Sequence, residues 1–172
     1  MILVHPFWGA FFGVFNGIIA GVAIYIIYGL IMQCIQKHKA IKHLKFEIDF
    51  NINHIDSLSK ELQRFRNKVN ADDVKNYVGY FWISKIIMTQ LAQMFYDRTI
   101  YNYLKRHDDI SKLQIFSRYF TIEGERVINE RVRYYKDHYK PTMKKQVSNE
   151  MEDYEKILYD SKTNLQSIYK KL

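Results

Sequence analysis

Arginine and tyrosine recur together in two stretches of this 172-residue chain. The first holds Arg98, Tyr101, Tyr103, Lys105, Arg106 and His107. The second, residues 126–140, holds Arg126, Arg131, Arg133, Tyr134, Tyr135, Lys136, His138, Tyr139 and Lys140. A guanidinium grips a phosphate through paired N–H donors, and a phenol ring stacks on a base. The combination suits an anionic nucleotide or a short RNA rather than a long nucleic acid. On a helix, Arg126, Glu130 and Arg133 share one side, while Arg131, Tyr134, Tyr135 and His138 share another. The candidate ligand set is Arg98, Tyr101, Lys105, Arg106, Arg126, Arg131, Arg133, Tyr134, Tyr135 and His138. Two plainer readings compete with it: a solvated helix with half-buried tyrosines, and attraction to anionic lipid headgroups.

No catalytic set accompanies these residues. Gly79 and Gly124 stand alone, so no glycine-rich loop cradles a phosphate. The six histidines fall at no metal-ligand spacing, and His107-Asp108-Asp109 reads best as a helix boundary with its cap. No nucleophile motif surrounds a serine or Cys34, the single cysteine, which can form no intrachain disulfide and fits a reducing compartment. The sequence therefore predicts no enzyme, no metal and no cofactor.

The elements that carry the candidate residues divide sharply by charge. Residues 1–36 contain no Asp, Glu, Lys or Arg, so the net charge of +8 belongs wholly to residues 37–172. Residues 7–35 are apolar except for Asn16 and Gln33. As a helix they extend about 43 Å, against a hydrocarbon core of roughly 30 Å, which allows one tilted span. No basic residue precedes the run and no small-residue cleavage site ends it, unlike a secretory signal. Lys37, Lys39, Lys42 and Lys45 follow at once, which predicts an outward N-terminus and a cytoplasmic C-terminal part. Inside the run, Gly9, Gly13, Gly17 and Gly21 recur every four residues, with Asn16 beside them. Such a groove lets helices approach closely, so the span is expected to self-associate.

Beyond residue 36 the chain is poor in helix breakers, and the sequence predicts a mainly α fold. Ile41, Ile48, Ile55, Leu62 and Val69 occupy heptad a positions, with Leu44, Asn51, Leu58 and Phe65 at d. That pattern predicts a coiled-coil-like neck in which Asn51 fixes register. Leu44, Phe46, Ile48, Phe50 and Ile52 also alternate with polar residues, so a short strand at 44–53 is the alternative. Further helices are expected from Asp72 or Asp73 to about Arg106, over 110–139, and over 143–170 after Pro141. In the first of these, Tyr80-Phe81-Trp82 is read as core. The predicted division is a transmembrane helix at 1–36, a basic juxtamembrane neck at 37–71 and a helical cytosolic domain at 72–172.

A glycine-striped span, a heptad neck and a basic helical domain form a two-part layout. It resembles the membrane-bound ancillary effectors of type III CRISPR antiviral systems. The resemblance rests on layout and size and transfers no residue by position. It implies a tetrameric protein of the bacterial inner membrane whose cytosolic domain binds cyclic tetra-adenylate, a cyclic oligoadenylate. The ligand would then perturb the membrane part or open a pore. Two other classes remain open: a membrane-anchored adaptor that holds a protein partner, and a membrane toxin that needs no ligand.

Overall fold

The computed structural model describes residues 6–104 and 106–172, with side chains from Val14 onward apart from those of Asn102 and His107. Among these residues there are five α-helices and no strand: α1 (Pro6–Asn70), α2 (Thr89–Tyr96), α3 (His107–Tyr119), α4 (Ile122–His138) and α5 (Lys144–Lys171). The fold is mainly α, as the sequence predicts. Residues 44–53 are helical, so the strand alternative is excluded. The chain divides into two compact units, Met1–Lys42 and His43–Leu172.

In the first unit, α1 presents Val14, Ile18, Val22, Ile26, Leu30 and their neighbours outward, each more than half exposed. The helix is long and apolar enough to cross a membrane, and none of its apolar window is buried by the rest of the chain. Gly17 and Gly21 have open space around them, as does Gly29. Gly9 and Gly13 lie on the same helix, but their surroundings are outside the described residues.

The second unit begins within the predicted neck. Leu44, Ile48, Asn51, Ile55, Leu58, Leu62, Phe65 and Val69 are all buried inside it. The heptad is therefore real, but its seam is filled within the chain, and residues 43–70 belong to the same unit as the rest of the helical domain. Residues 45–70 of α1 run antiparallel to α5. Lys45 sits over the Tyr169 ring, Lys162 Nζ meets Asp56 at 2.6 Å, Arg66 pairs with Glu155, and Lys144 Nζ donates to the Asn70 carbonyl at 2.6 Å. Val147, Met151, Leu158, Leu165 and Ile168 form the buried stripe of α5, at the spacing of one helical face.

Two predicted helices are interrupted. The one expected from Asp72–Asp73 to about Arg106 contains only α2 and single 3-10 turns. Asp72 has a φ of 54°, which turns the chain out of α1. Asp73 makes no side-chain cap; its carboxylate takes Lys68 Nζ at 2.6 Å and Asn76 Nδ2 at 2.5 Å. Residues 77–88 then form an irregular strap whose backbone is satisfied by side chains. Asn51 donates to the Ile87 carbonyl at 2.6 Å and accepts its N–H at 2.8 Å. Asn129 does the same for Phe81, both at 3.0 Å. Glu125 accepts the Ser84 N–H at 2.6 Å. Glu47 accepts from Gln90 and Leu91 at 2.7 and 3.1 Å, which supplies the start of α2. The helix expected at 110–139 is also two helices. Thr121 caps α4 by accepting the Gly124 N–H at 3.1 Å, and Glu123 and Glu125 suit its positive end.

Candidate functional site

Residues 126–140 do lie mostly on one helix, α4, but two of its arginines, Arg126 and Arg131, are already engaged by carboxylates. Arg126 is held by Glu123 (Nη2–Oε1 2.5 Å) and Glu130 (Nη1–Oε2 2.7 Å), which raise its pKa further. Arg131 Nε reaches Glu150 on α5 at 3.1 Å, and its guanidinium lies 5.9 Å from the centre of the Tyr135 ring. Tyr135 is fully buried, and its hydroxyl has no hydrogen-bond partner among the described residues. Burial, with the Glu150 carboxylate beside it, pushes that hydroxyl's pKa up. Tyr134 stacks on His138 at 4.6 Å, and His138 Nδ1 meets the Tyr134 carbonyl at 3.0 Å. The adjacent hollow of about 640 Å³ exposes Glu130, Glu150 and Asp153 against the single guanidinium of Arg131. Its net charge disfavours a phosphate.

The remaining predicted residues are scattered. Arg133 is exposed and makes no ion pair with a described residue; its charge is felt by Tyr80. Arg98 is exposed at φ 61°, Tyr101 is about half exposed, and Arg106 is exposed just before α3. Lys105 lies outside the described residues. Among the described residues no hydrogen bond, ion pair or ring contact joins the 98–106 group to the α4 group.

A basic and aromatic pocket lies elsewhere, between α1 and the strap. It has a volume of about 350 Å³ and is lined by His54, Lys60, Arg64, Tyr80, Trp82 and Lys85, with Glu61 as its one carboxylate. Only Phe81 of the expected core triplet is buried; Tyr80 is 42% exposed and Trp82 50%. Extended backbone explains this, since successive side chains point to opposite faces. The two exposed rings tilt against each other at 4.5 Å, and Lys85 Nζ sits 5.2 Å from the Trp82 ring centre.

The pocket's frame is held on three sides. His54 Nε2 donates to the Trp82 carbonyl at 2.6 Å, which fixes that tautomer. Tyr80 donates to Glu125 Oε1 at 3.1 Å. Burial and that carboxylate raise the Tyr80 pKa, while Arg133 opposes the shift. Tyr77 donates to Glu61 Oε1 at 2.6 Å, directly over Gly79, where a Cβ would strike both groups. Arg64 Nη1 also meets Glu61, at 3.1 Å, so Lys60 and Lys85 are the pocket's cations without an ion pair among the described residues. The sequence signal was the run Tyr77–Ile83, where buried and exposed positions alternate at the end. It was masked by the strong apolar content of the same run.

No metal-binding group of His, Cys, Asp or Glu occurs among the described residues. No protein-family model, no curated protein and no solved structure matches the chain.

Proposed function

We propose that the chain is a self-associating, membrane-anchored effector whose helical domain takes an anionic nucleotide in the strap pocket. The observation that carries the reading is the coincidence there of two exposed aromatic rings with cations that no carboxylate neutralises. A base stacks on Trp82 or Tyr80, and phosphates sit against Lys60 and Lys85. A cyclic oligoadenylate has this chemistry, with one charge per phosphate and several adenines, and the resemblance in layout points to it. In this reading α1 spans the bacterial inner membrane from an outer N-terminus, and Lys37, Lys39, Lys42 and Lys45 hold the cytoplasmic side. Several subunits around one symmetric ligand bring like charges together, and the ligand's phosphates relieve that repulsion. The effect on the spans, an open pore or a disturbed bilayer, is limited to the ligand's differential affinity for the two states.

The test uses the full-length protein in lipid nanodiscs, titrated with AMP and with cyclic tetra-adenylate at low and high salt. Binding is expected to weaken with salt. Lys60→Ala and Lys85→Ala should each lower affinity about 10-fold, the equivalent of ~1.4 kcal/mol. Arg131→Ala should change little, because Glu150 already holds that charge. A folded protein that binds neither nucleotide at low salt overturns the proposal.

A membrane-anchored adaptor is the second reading. Ile115, Tyr119, Ile122 and Val127 are exposed about the α3–α4 corner, with Ile122 at 79%. Apolar exposure of that kind suits a protein partner.

A further inference from the structure

A hollow of about 370 Å³ lies inside the helical domain, and the nucleotide reading does not use it. Leu58 and Leu62 of α1, Phe81 of the strap, Phe120, Ile128 of α4 and Leu158 of α5 wall it. Each of these six side chains is at most 8% exposed, so the walls belong to the core and not to an open face. The space takes a small molecule but no helix, which is about 10 Å across with its side chains. Close-packed interiors leave few voids larger than a water molecule, and the lining of such a void forfeits contacts. Water gains no partners from apolar walls, so it does not restore them.

The mouth lies at the turn between α3 and α4. Tyr119 and Val127 stand there, 49% and 45% exposed. Gly124 permits the close turn, because a Cβ at that position would collide with the Tyr119 carbonyl. The charged residues at the hollow are Arg118 and Glu123, both exposed. Both Glu123 oxygens are held by Arg126, at 2.5 and 2.9 Å, and the Thr121 hydroxyl oxygen is taken by the Gly124 N–H. No charged side chain is buried among the walls. A charged head at this mouth would meet one cation and one anion, both in water. It would gain a screened contact and lose its own hydration. The selection is therefore made by the walls, and they select uncharged hydrocarbon.

We propose that this hollow binds one uncharged aliphatic molecule of medium chain length, with its hydrocarbon against the six walls and any hydroxyl at the mouth beside Tyr119. The chain supplies the contacts that the void lacks, and each methylene moved from water into the hollow adds to the affinity. The site shares no ligand-contacting residue with the strap pocket, so it stands or falls apart from the nucleotide.

The experiment follows thermal unfolding of the full-length protein in lipid nanodiscs, titrated with 1-octanol, 1-hexanol, octanoate or octylammonium. Two variants serve as references, since the alcohols partition equally into the lipid around all three proteins. Leu158→Phe adds bulk at a wall, and Val127→Trp adds it at the exposed mouth. With 1-octanol the midpoint of the native protein is expected to rise relative to both variants, as it does for any ligand of the folded state. 1-Hexanol, shorter by two methylenes, should bind about 10-fold more weakly. Octanoate and octylammonium should give no shift at the concentration where 1-octanol saturates. Should Leu158→Phe fail to fold, Val127→Trp carries the comparison, because its site is half exposed. An octanol response that is the same in the native protein and in the folded variants overturns the proposal, as does a shift with either ion that matches 1-octanol.

Discussion

Asn51→Leu separates the two structural roles that a polar residue on a heptad seam can have. In an oligomeric coiled coil, a seam asparagine lowers stability and fixes register, so leucine in its place strengthens the assembly. In this domain Asn51 is 2% exposed and brackets Ile87, with hydrogen bonds of 2.6 and 2.8 Å to its carbonyl and N–H. Leucine removes both bonds and leaves two peptide groups without partners. Each net bond contributes about 0.5–1.5 kcal/mol, and each orphaned group costs about 1–3 kcal/mol. Leucine recovers roughly 1–2 kcal/mol through apolar burial. The balance is a loss of about 2–4 kcal/mol, or ~10 °C in midpoint for a domain of this size. Urea unfolding followed by helical circular dichroism measures it, and Trp82, five residues before Ile87, reports release of the strap. Asn53→Leu is the control: it is exposed and bonds only to the Asp49 carbonyl of its own helix, so it should stay within about 0.5 kcal/mol. An Asn51→Leu protein as stable as the parent, or more so, would refute the clamp and restore the intermolecular seam.

Glu125 should make the strap acid-sensitive. Burial alone would raise its pKa, but the N–H and hydroxyl of Ser84 and the Tyr80 hydroxyl hold it below the ordinary 4.5. Its contribution is therefore full above about that pH and disappears as pH falls through the lower folded value, so the stability gap to Glu125→Gln should close on acidification from pH 7. Gly79→Ala places a methyl group against Tyr77 and Glu61 and should cost about 1.5–3 kcal/mol by breaking a charged hydrogen bond, as read by thermal unfolding. Gly17→Leu with Gly21→Leu should abolish self-association of the apolar segment in cross-linking, whereas Gly29→Leu should not. Equal loss at Gly29 would remove the case for a specific packing face.

The helical class was legible because the chain carries few breakers and two long periodic faces. The heptad from Ile41 to Val69 identified its buried residues almost without error, and the apolar spacing of residues 143–170 marks Met151, Tyr154, Leu158, Leu165 and Ile168 as one side, of which all but the half-buried Tyr154 are buried. Periodicity reports which residues are buried, but not against what. The same a and d positions serve a second chain or an antiparallel helix of the same chain, and only the partner's location distinguishes them. The strap was illegible for a related reason. Its non-helical backbone depends on Glu47, Asn51, Glu125 and Asn129, which lie 36 to 48 residues away in sequence. Local propensity favoured a helix there, and four distant polar side chains overrode it.

The candidate site illustrates what a count of arginines omits. Half of the neutralisation on α4 was readable: Glu123 and Glu130 stand three and four residues from Arg126, the spacing at which helix neighbours pair. The Arg131–Glu150 pair was not, because it joins α4 to α5. A guanidinium fixed by a carboxylate gives a phosphate little net attraction, since the ligand must compete with a partner already in place. A lysine with no such partner, beside an exposed ring, gives more. The residues that matter for an anion are thus set by where the carboxylates fall, and among the described residues these pair Arg126 and Arg131 while Lys60 and Lys85 make no ion pair.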